Sequence, residues 1–187
     1  DKYPGAEDMK DAKWLYDFSM FNSYAKPNTL ENYEAFVKNV PNSPYKLQAE
    51  DSIYSLSTKL SRITDYHFFI KNHPKNHNTA KAWENIYALS TPEFSPKEIS
   101  LFMKNFPDFS DPGRLKTDLE KSKMSLYPII QNGKWGYMDS LGYVTIPCAN
   151  DWADDFSAGY AAVMRDEKAG YINKEGKNII AFIYEEA

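Results

Sequence analysis

The chain has 187 residues, of which 42% are hydrophobic and 16% aromatic, a composition that builds packed cores and excludes a disordered chain. Its longest apolar run, residues 179–184, falls well short of the roughly 18 to 20 residues of a membrane-spanning helix, so no transmembrane segment is expected. The net charge of −4 resolves into 17 basic against 17 acidic residues over 1–125 and 5 against 9 over 126–187; neither part has the basic stripe that a phosphate backbone requires, and nucleic acid is not expected as a partner.

The first two thirds repeat with a period of 33. Tyr33, Phe36, Lys38, Asn39, Pro41, Ala49, Ile53, Tyr54 and Leu56 recur as Tyr66, Phe69, Lys71, Asn72, Pro74, Ala82, Ile86, Tyr87 and Leu89. A weaker copy carries Ile99, Phe102, Lys104, Asn105 and Pro107. Each copy reads as two amphipathic helices: Leu30, Tyr33, Phe36 and Val37 share one helical face, and Tyr45, Ala49, Ile53 and Leu56 another. Ser95-Pro96 with Glu98 predicts a capped start, and Ser43-Pro44 and Asp111-Pro112 predict the starts of second helices. The Lys-Asn pair before each proline predicts a helix end with asparagine in the left-handed cap conformation. Tyr3-Pro4 with Ala12, Trp14 and Leu15 reads as half of an earlier repeat. Phe36, Ile53, Phe69, Ile86 and Leu89 are expected to form the core between repeats, with Trp14 and Trp83 adding bulk to it.

A helical hairpin of this period, with a Phe-x-Lys-Asn-x-Pro turn and a small alanine in its second helix, resembles tetratricopeptide-like repeats over residues 1–125. That resemblance implies a scaffold that binds a protein or peptide.

Over 126–187 the pattern changes to short alternating segments. Residues 126–131 and 134–139 flank Asn132-Gly133, the favoured pair for a tight hairpin in which both central residues have positive φ. Ser140-Leu141-Gly142 predicts a further turn. Here the period is 34: Ile129, Lys134, Gly136, Tyr137, Gly142 and Ile146 recur as Val163, Lys168, Gly170, Tyr171, Gly176 and Ile180. The blocks Gly133-Lys134-Trp135-Gly136-Tyr137-Met138-Asp139, Ile146-Pro147 and Phe156-Ser157-x-Gly159-x-Ala161 resemble the WG repeat, also called KWG. In the second copy Ala169 and Ala181 stand for Trp135 and Pro147. The repeat register implies that the chain stops within a repeat and that further repeats follow it.

The fold expected is therefore α+β in two segregated modules: an α-α helical-hairpin solenoid over 1–125 and antiparallel β-hairpin repeats over 126–187. Little catalytic chemistry stands out. Cys148 is the only cysteine, which excludes an internal disulfide and multi-cysteine metal sites. His73 and His77 straddle Pro74 without a neighbouring acid in sequence, so a plain turn is favoured over a metal. Asp151, Asp154 and Asp155 lack the spacing of a calcium loop and read as a solvated one. There is no phosphate loop and no nucleophile motif. The chain is read as a non-enzyme with no cofactor and no metal.

The residues that remain as candidate ligand contacts are Trp135, Tyr137, Asp139 and Tyr171. The favoured function is a non-catalytic interaction protein holding a protein or peptide on its repeat surfaces. The alternative is a bacterial cell-envelope carbohydrate-binding module, because Gly133-Lys134-Trp135 with Tyr137 and Asp139 is also similar to the Gly-Lys-Trp-Tyr-Tyr pattern of cell-wall and glucan-binding repeats. Ile179, Ile180, Phe182 and Ile183 are expected to present an apolar strand with an unpaired edge, open to self-association. A start at Asp1 without Met or an apolar leader suggests an exported bacterial protein in the periplasm or cell envelope, with the cytoplasm as the alternative.

Overall fold

Helix boundaries recur with the sequence period. The computed structural model describes residues 6–185, with side chains from Asp11 onward; Tyr3 and Pro4 of the expected half repeat lie outside them. Among the described residues, α1 (Ala6–Ala25) is followed by α2 (Leu30–Asn39), α3 (Lys46–Ser57), α4 (Ile63–Asn72), α5 (Thr79–Ser90), α6 (Pro96–Asn105) and α7 (Pro112–Lys123). Leu30, Ile63 and Pro96 open the first helices of the hairpins, and Lys46, Thr79 and Pro112 the second, both series advancing by the period of the sequence. No helix among the described residues is long and apolar enough to cross a membrane. The chain separates into two compact units, 1–86 and 87–187, so α6, α7 and all the strands lie together in the second.

The caps explain the period. Thr29 and Ser95 accept the N–H of Asn32 and Glu98 with their side chains, and Asp111 does the same for Arg114, each relieving an unpaired first-turn donor. The asparagines at the ends of α2, α4 and α6 do not take the left-handed conformation expected of them. Instead Val40, His73 and Phe106 cap those helices at φ of −128°, −128° and −129°. Each directly precedes a proline, whose ring excludes the helical region for its neighbour and ends the helix without a left-handed residue. The left-handed positions fall after the second helices, at Asn28, Ser61 and Phe94 (φ 51°, 53° and 52°). A second correction concerns Ser43-Pro44. Pro44 sits in a turn, the Ser43 hydroxyl accepts from the Tyr45 N–H at 3.2 Å, and α3 starts only at Lys46.

Packing repeats as well. Phe36, Phe69 and Phe102 are buried, and each meets an aromatic ring of the preceding helix edge-on: Phe21 at 5.3 Å, Tyr54 at 5.2 Å and Tyr87 at 5.0 Å. This places Phe21 in the position of Tyr54 and Tyr87 and puts α1 in register with α3 and α5. Trp14 then corresponds to Leu47, and both are exposed; it stacks on Phe18 at 5.3 Å rather than entering the core. Ile53, Ile86 and Trp83 are buried as expected, but Leu89 is 49% exposed. The buried face of α5 is centred on Ala82, Trp83, Ile86 and Tyr87, and at 3.6 residues per turn Leu89 falls about a quarter turn to its flank.

A polar contact with the same period ties second helices together. Lys81 lies 5.2 Å over the Tyr54 ring while Asn85 donates to the Tyr54 hydroxyl at 3.0 Å. In the next copy Arg114 lies 4.9 Å over Tyr87, whose hydroxyl donates to Asp118 at 3.0 Å. Each arrangement joins a cation–π contact to a hydrogen bond, so an aromatic and a polar residue are held at a fixed helix spacing.

The strands follow as β1 (Tyr127–Gln131), β2 (Lys134–Met138), β3 (Val144–Asn150), β4 (Trp152–Ala153), β5 (Tyr160–Arg165), β6 (Lys168–Asn173) and β7 (Asn178–Tyr184). They form two antiparallel sheets, β1-β2-β3 and β4-β5-β6-β7. Asn132 (φ 52°) and Gly133 (φ 75°) make the expected hairpin turn, and Asp166 (φ 49°) and Glu167 (φ 62°) take the same conformation in the second copy. Gly136 and Gly170 are required by a close approach rather than by φ. A Cβ on Gly136 would lie 2.5 Å from the Ile146 carbonyl, and one on Gly170 2.7 Å from that of Ile180. The neighbouring strand crosses at these points, where the register of both sheets shifts. The β core consists of Leu126, Tyr137, Ile146, Ala153, Ala161, Val163 and Ile172, with Trp135, Phe156 and Phe182 packed against it.

Candidate functional site

The four candidate ligand contacts have four different surroundings. Trp135, on β2, is half-buried and packs against the β core. Tyr137, next on the same face of that strand, is fully buried. Phe156 stands edge-on to it at 4.8 Å, and the Tyr137 hydroxyl donates to the Asp154 carbonyl at 2.7 Å. Burial, with Asp154 and Asp155 nearby, pushes that hydroxyl well above the usual tyrosine range. Tyr137 is thereby closed to an external ligand, because the segment that follows its repeat covers it. Asp139 has a local task. Its Oδ1 accepts the N–H groups of Leu141 and Tyr143, both at 2.9 Å, and Asn173 repeats this with Glu175 and Lys177 at 3.0 and 3.1 Å. A short side chain that gathers two backbone donors builds the turn after each central strand.

Tyr171 is the member of the set that faces a groove. With Tyr160, Ala162, Ile179 and Ile180 it lines an open cavity of about 520 Å³, with Asp154, Asp155 and Ser157 along the rim. Burial, together with Glu93 and Glu98, raises the Tyr160 hydroxyl above its ordinary range.

A second, more polar groove lies in the first unit, and no motif in the sequence singles it out. Asp51, Tyr54, Ser55, Thr58, Lys59, Ser61, Tyr66, Asn78, Lys81 and Asn85 line a cavity of about 710 Å³. Burial, then the neighbouring Tyr66, raises the Tyr54 hydroxyl. The legible signal was the Tyr54-to-Tyr87 repeat; the missing information was which residues of α5 would meet Tyr54.

The histidines do not come together as ligands. His73 Nε2 lies 3.2 Å from Glu34, with its ring 5.4 Å from Phe69. His77 Nδ1 meets Glu50 at 2.8 Å and its Nε2 meets Asp51 at 2.8 Å. The acids missing from the local sequence thus arrive from α2 for His73 and from α3 for His77. The Glu50 hydrogen bond is the largest cause of a raised His77 pKa, and Asp51 adds to it. Among the described residues no group of three or more His, Cys, Asp or Glu side chains could hold a metal ion. Of the acidic trio, Asp151 pairs with Lys134 and accepts the Asp166 N–H at 2.8 Å, which lowers its pKa, so it links the two hairpin turns. Cys148 is a half-buried free thiol.

One further residue organises the second unit. Lys174 donates to the carbonyls of Ser122 and Met124, at 3.0 and 2.9 Å. A cation at the end of α7 satisfies carbonyls that the helix leaves unpaired. Desolvation lowers its pKa.

No curated protein and no solved structure matches the chain. Residues 135–168 and 170–187 match the family model described as WG containing repeat, so the part of the chain that carries Tyr137 and Tyr171 contains WG repeats.

Proposed function

We propose that this chain is a non-catalytic interaction module that holds a protein or peptide partner on its repeat surfaces, the helical part acting as tetratricopeptide-like repeats do. The observation that carries the reading is the polar groove between α3 and α5. An extended peptide exposes unpaired N–H and C=O groups along its length, and here Asn78, Asn85, Ser55, Ser61 and the Tyr54 hydroxyl offer both donors and acceptors, with Lys59 and Lys81 beside them. Tyr54 and Asn85 are already hydrogen-bonded to each other and Lys81 already covers the ring, so the surface is pre-organised and a ligand loses less entropy on binding.

The test is selection from a displayed peptide library on the whole chain, with Asn85→Ala and Lys81→Glu as counter-selection. The reading expects an enriched sequence class that both variants fail to hold. Enrichment that ignores both substitutions, or none at all, removes it.

The carbohydrate alternative rests on Tyr171 and Tyr160 beside the Asp154 and Asp155 carboxylates. It stands second because Trp135, the ring on which a sugar would stack, packs against the β core instead. A glycan array probed with wild type and Tyr171→Ala decides it: a signal lost in the variant revives the alternative.

A further inference from the structure

The polar groove of the first unit carries opposite charges at its two ends, and one of them is shared with a histidine. Asp51 in α3 and Lys59 just past its end both line the groove, roughly 12 Å apart at about 1.5 Å of rise per residue. Lys59 is exposed. At the other end His77 Nε2 lies 2.8 Å from Asp51 Oδ1, and the Asn78 amide donates to the same oxygen at 2.9 Å. Both contacts use one oxygen, and the Asp51 side chain is still 62% exposed, so its second oxygen is open to a ligand. The turn that brings His77 there is fastened to α3: the Asn76 amide donates to the Glu50 carbonyl at 3.1 Å and accepts the Asn78 N–H at 2.8 Å. The helical period does not require this arrangement. The other copies place Pro44 and Ser110 where His77 stands, and the next copy has Pro92 where Lys59 stands.

We propose that this groove selects an extended peptide with a basic and an acidic side chain four residues apart, the basic one held by Asp51 and the acidic one by Lys59, and that protonated His77 competes with the ligand's cation for Asp51. The inference rests on the peptide reading of this groove and adds its charge pattern and its control. The spacing follows from geometry: an extended backbone advances about 3.3 Å per residue and returns to the same face every second residue, so positions i and i+4 span the distance between the two charges. Lys81, over the Tyr54 ring in the same groove, adds to the field that draws the acidic side chain. The competition follows from charge. An imidazolium donates from both nitrogens, to Glu50 and to Asp51, and a second cation at Asp51 then meets a like charge. Neutral His77 gives up one of the two bonds and leaves Asp51 to the ligand. The other charges near the ring face Glu50 or Glu34 rather than Asp51: Lys46 pairs with Glu50 at 3.7 Å, Lys75 shares a cavity with that pair, and His73 meets Glu34 at 3.2 Å.

The probes are capped synthetic peptides titrated into the whole chain and read by nuclear magnetic resonance from the side-chain amides of Asn78 and Asn85. One has arginine first and glutamate last over a Ser-Thr-Ser spacer, one has the same residues with the two charges adjacent, and two carry a pair of arginines or a pair of glutamates at the ends. The first should bind in the millimolar range, since a free peptide must order itself as it binds, and the others severalfold more weakly. Asp51→Lys should move the preference to the two-glutamate peptide and Lys59→Glu to the two-arginine peptide, gains that a misfolded variant could not produce. Raising the pH from about 5.5 to about 8.5 should strengthen binding of the first peptide to wild type and leave it unchanged in His77→Gln. By linkage, the bound peptide should lower the pH at which the His77 ring titrates. Equal binding of all four peptides, no inversion by the charge reversals, or a pH dependence that survives His77→Gln overturns the inference while the peptide reading stands. Binding by none of the four also overturns it, and the peptide reading then stands or falls with the displayed library.

Discussion

The Tyr87 hydroxyl donates to Asp118 at 3.0 Å, and at the equivalent pair one repeat earlier the direction is reversed, with Asn85 donating to the Tyr54 hydroxyl. The geometry is kept while the chemistry changes. Tyr87 and Asp118 are both buried, with Arg114 Nε 3.3 Å from the same carboxylate. Burial and the Asp118 hydrogen bond together push the Tyr87 hydroxyl far above its normal range.

Tyr87→Phe should therefore cost about 1 to 3 kcal/mol, the penalty for leaving a buried carboxylate short of one donor. Tyr54→Phe, beside an open groove, should cost less than about 1 kcal/mol, because water can replace the lost partner. Urea denaturation of the two variants checks the order; equal losses would show that the buried bond contributes nothing particular.

Phe69→Ala should cost about 3 to 5 kcal/mol, the sum of lost burial and a residual cavity. Phe69 is fully buried and edge-on to Tyr54. Leu89→Ala, on the flank of its helix, should change stability by less than about 1 kcal/mol. Reversible denaturation measures both, and a large loss at Leu89 would contradict the exposure found for it.

Gly136→Ala should destabilise by about 1 to 3 kcal/mol, as overpacking does, because the added methyl meets the backbone of β3 at Ile146 and Cys148. Gly133→Ala meets nothing within 4 Å and carries only the strain of φ +75°, about 1 to 2 kcal/mol. Near-UV circular dichroism, compared as difference spectra against wild type, separates them: the aromatic packing signal should shift in Gly136→Ala, beside Trp135 and Tyr137, and persist in Gly133→Ala.

His77 makes stability depend on pH. Both ring nitrogens face carboxylates, and only the imidazolium can donate from both. Its pKa is raised in the folded chain, chiefly by the Glu50 hydrogen bond. The contribution is therefore fully present below the unfolded value and is lost as pH rises through the higher folded value. With the ring 39% exposed, the effect should stay within the roughly 0.2 to 1 kcal/mol of solvent-screened pairs. The stability gap between wild type and His77→Gln, measured in urea from about pH 5.5 to about pH 8.5, should close as pH rises. A gap that widens would falsify this assignment.

The amino-acid sequence by itself established the helical hairpins and their spacing, the β repeats and theirs, the Asn132-Gly133 turn and the burial of Phe36, Phe69, Ile53 and Ile86. These follow from local forces: side-chain spacing, caps and prolines act within a few residues. Trp14 was misread because bulk was taken for burial where register decided, and Leu89 because a quarter turn of helix separates a core position from its flank. Only the tertiary structure decided that His77 meets Glu50 and Asp51, that Lys81 and Asn85 meet Tyr54, and that Lys174 holds the end of α7. It alone also decided that Tyr137 is covered by Phe156 while its counterpart Tyr171 lines a groove. Two tyrosines at equivalent positions of the repeat differ in exposure because of what the rest of the chain lays over them. That depends on contacts between residues far apart along the chain, which no local pattern encodes.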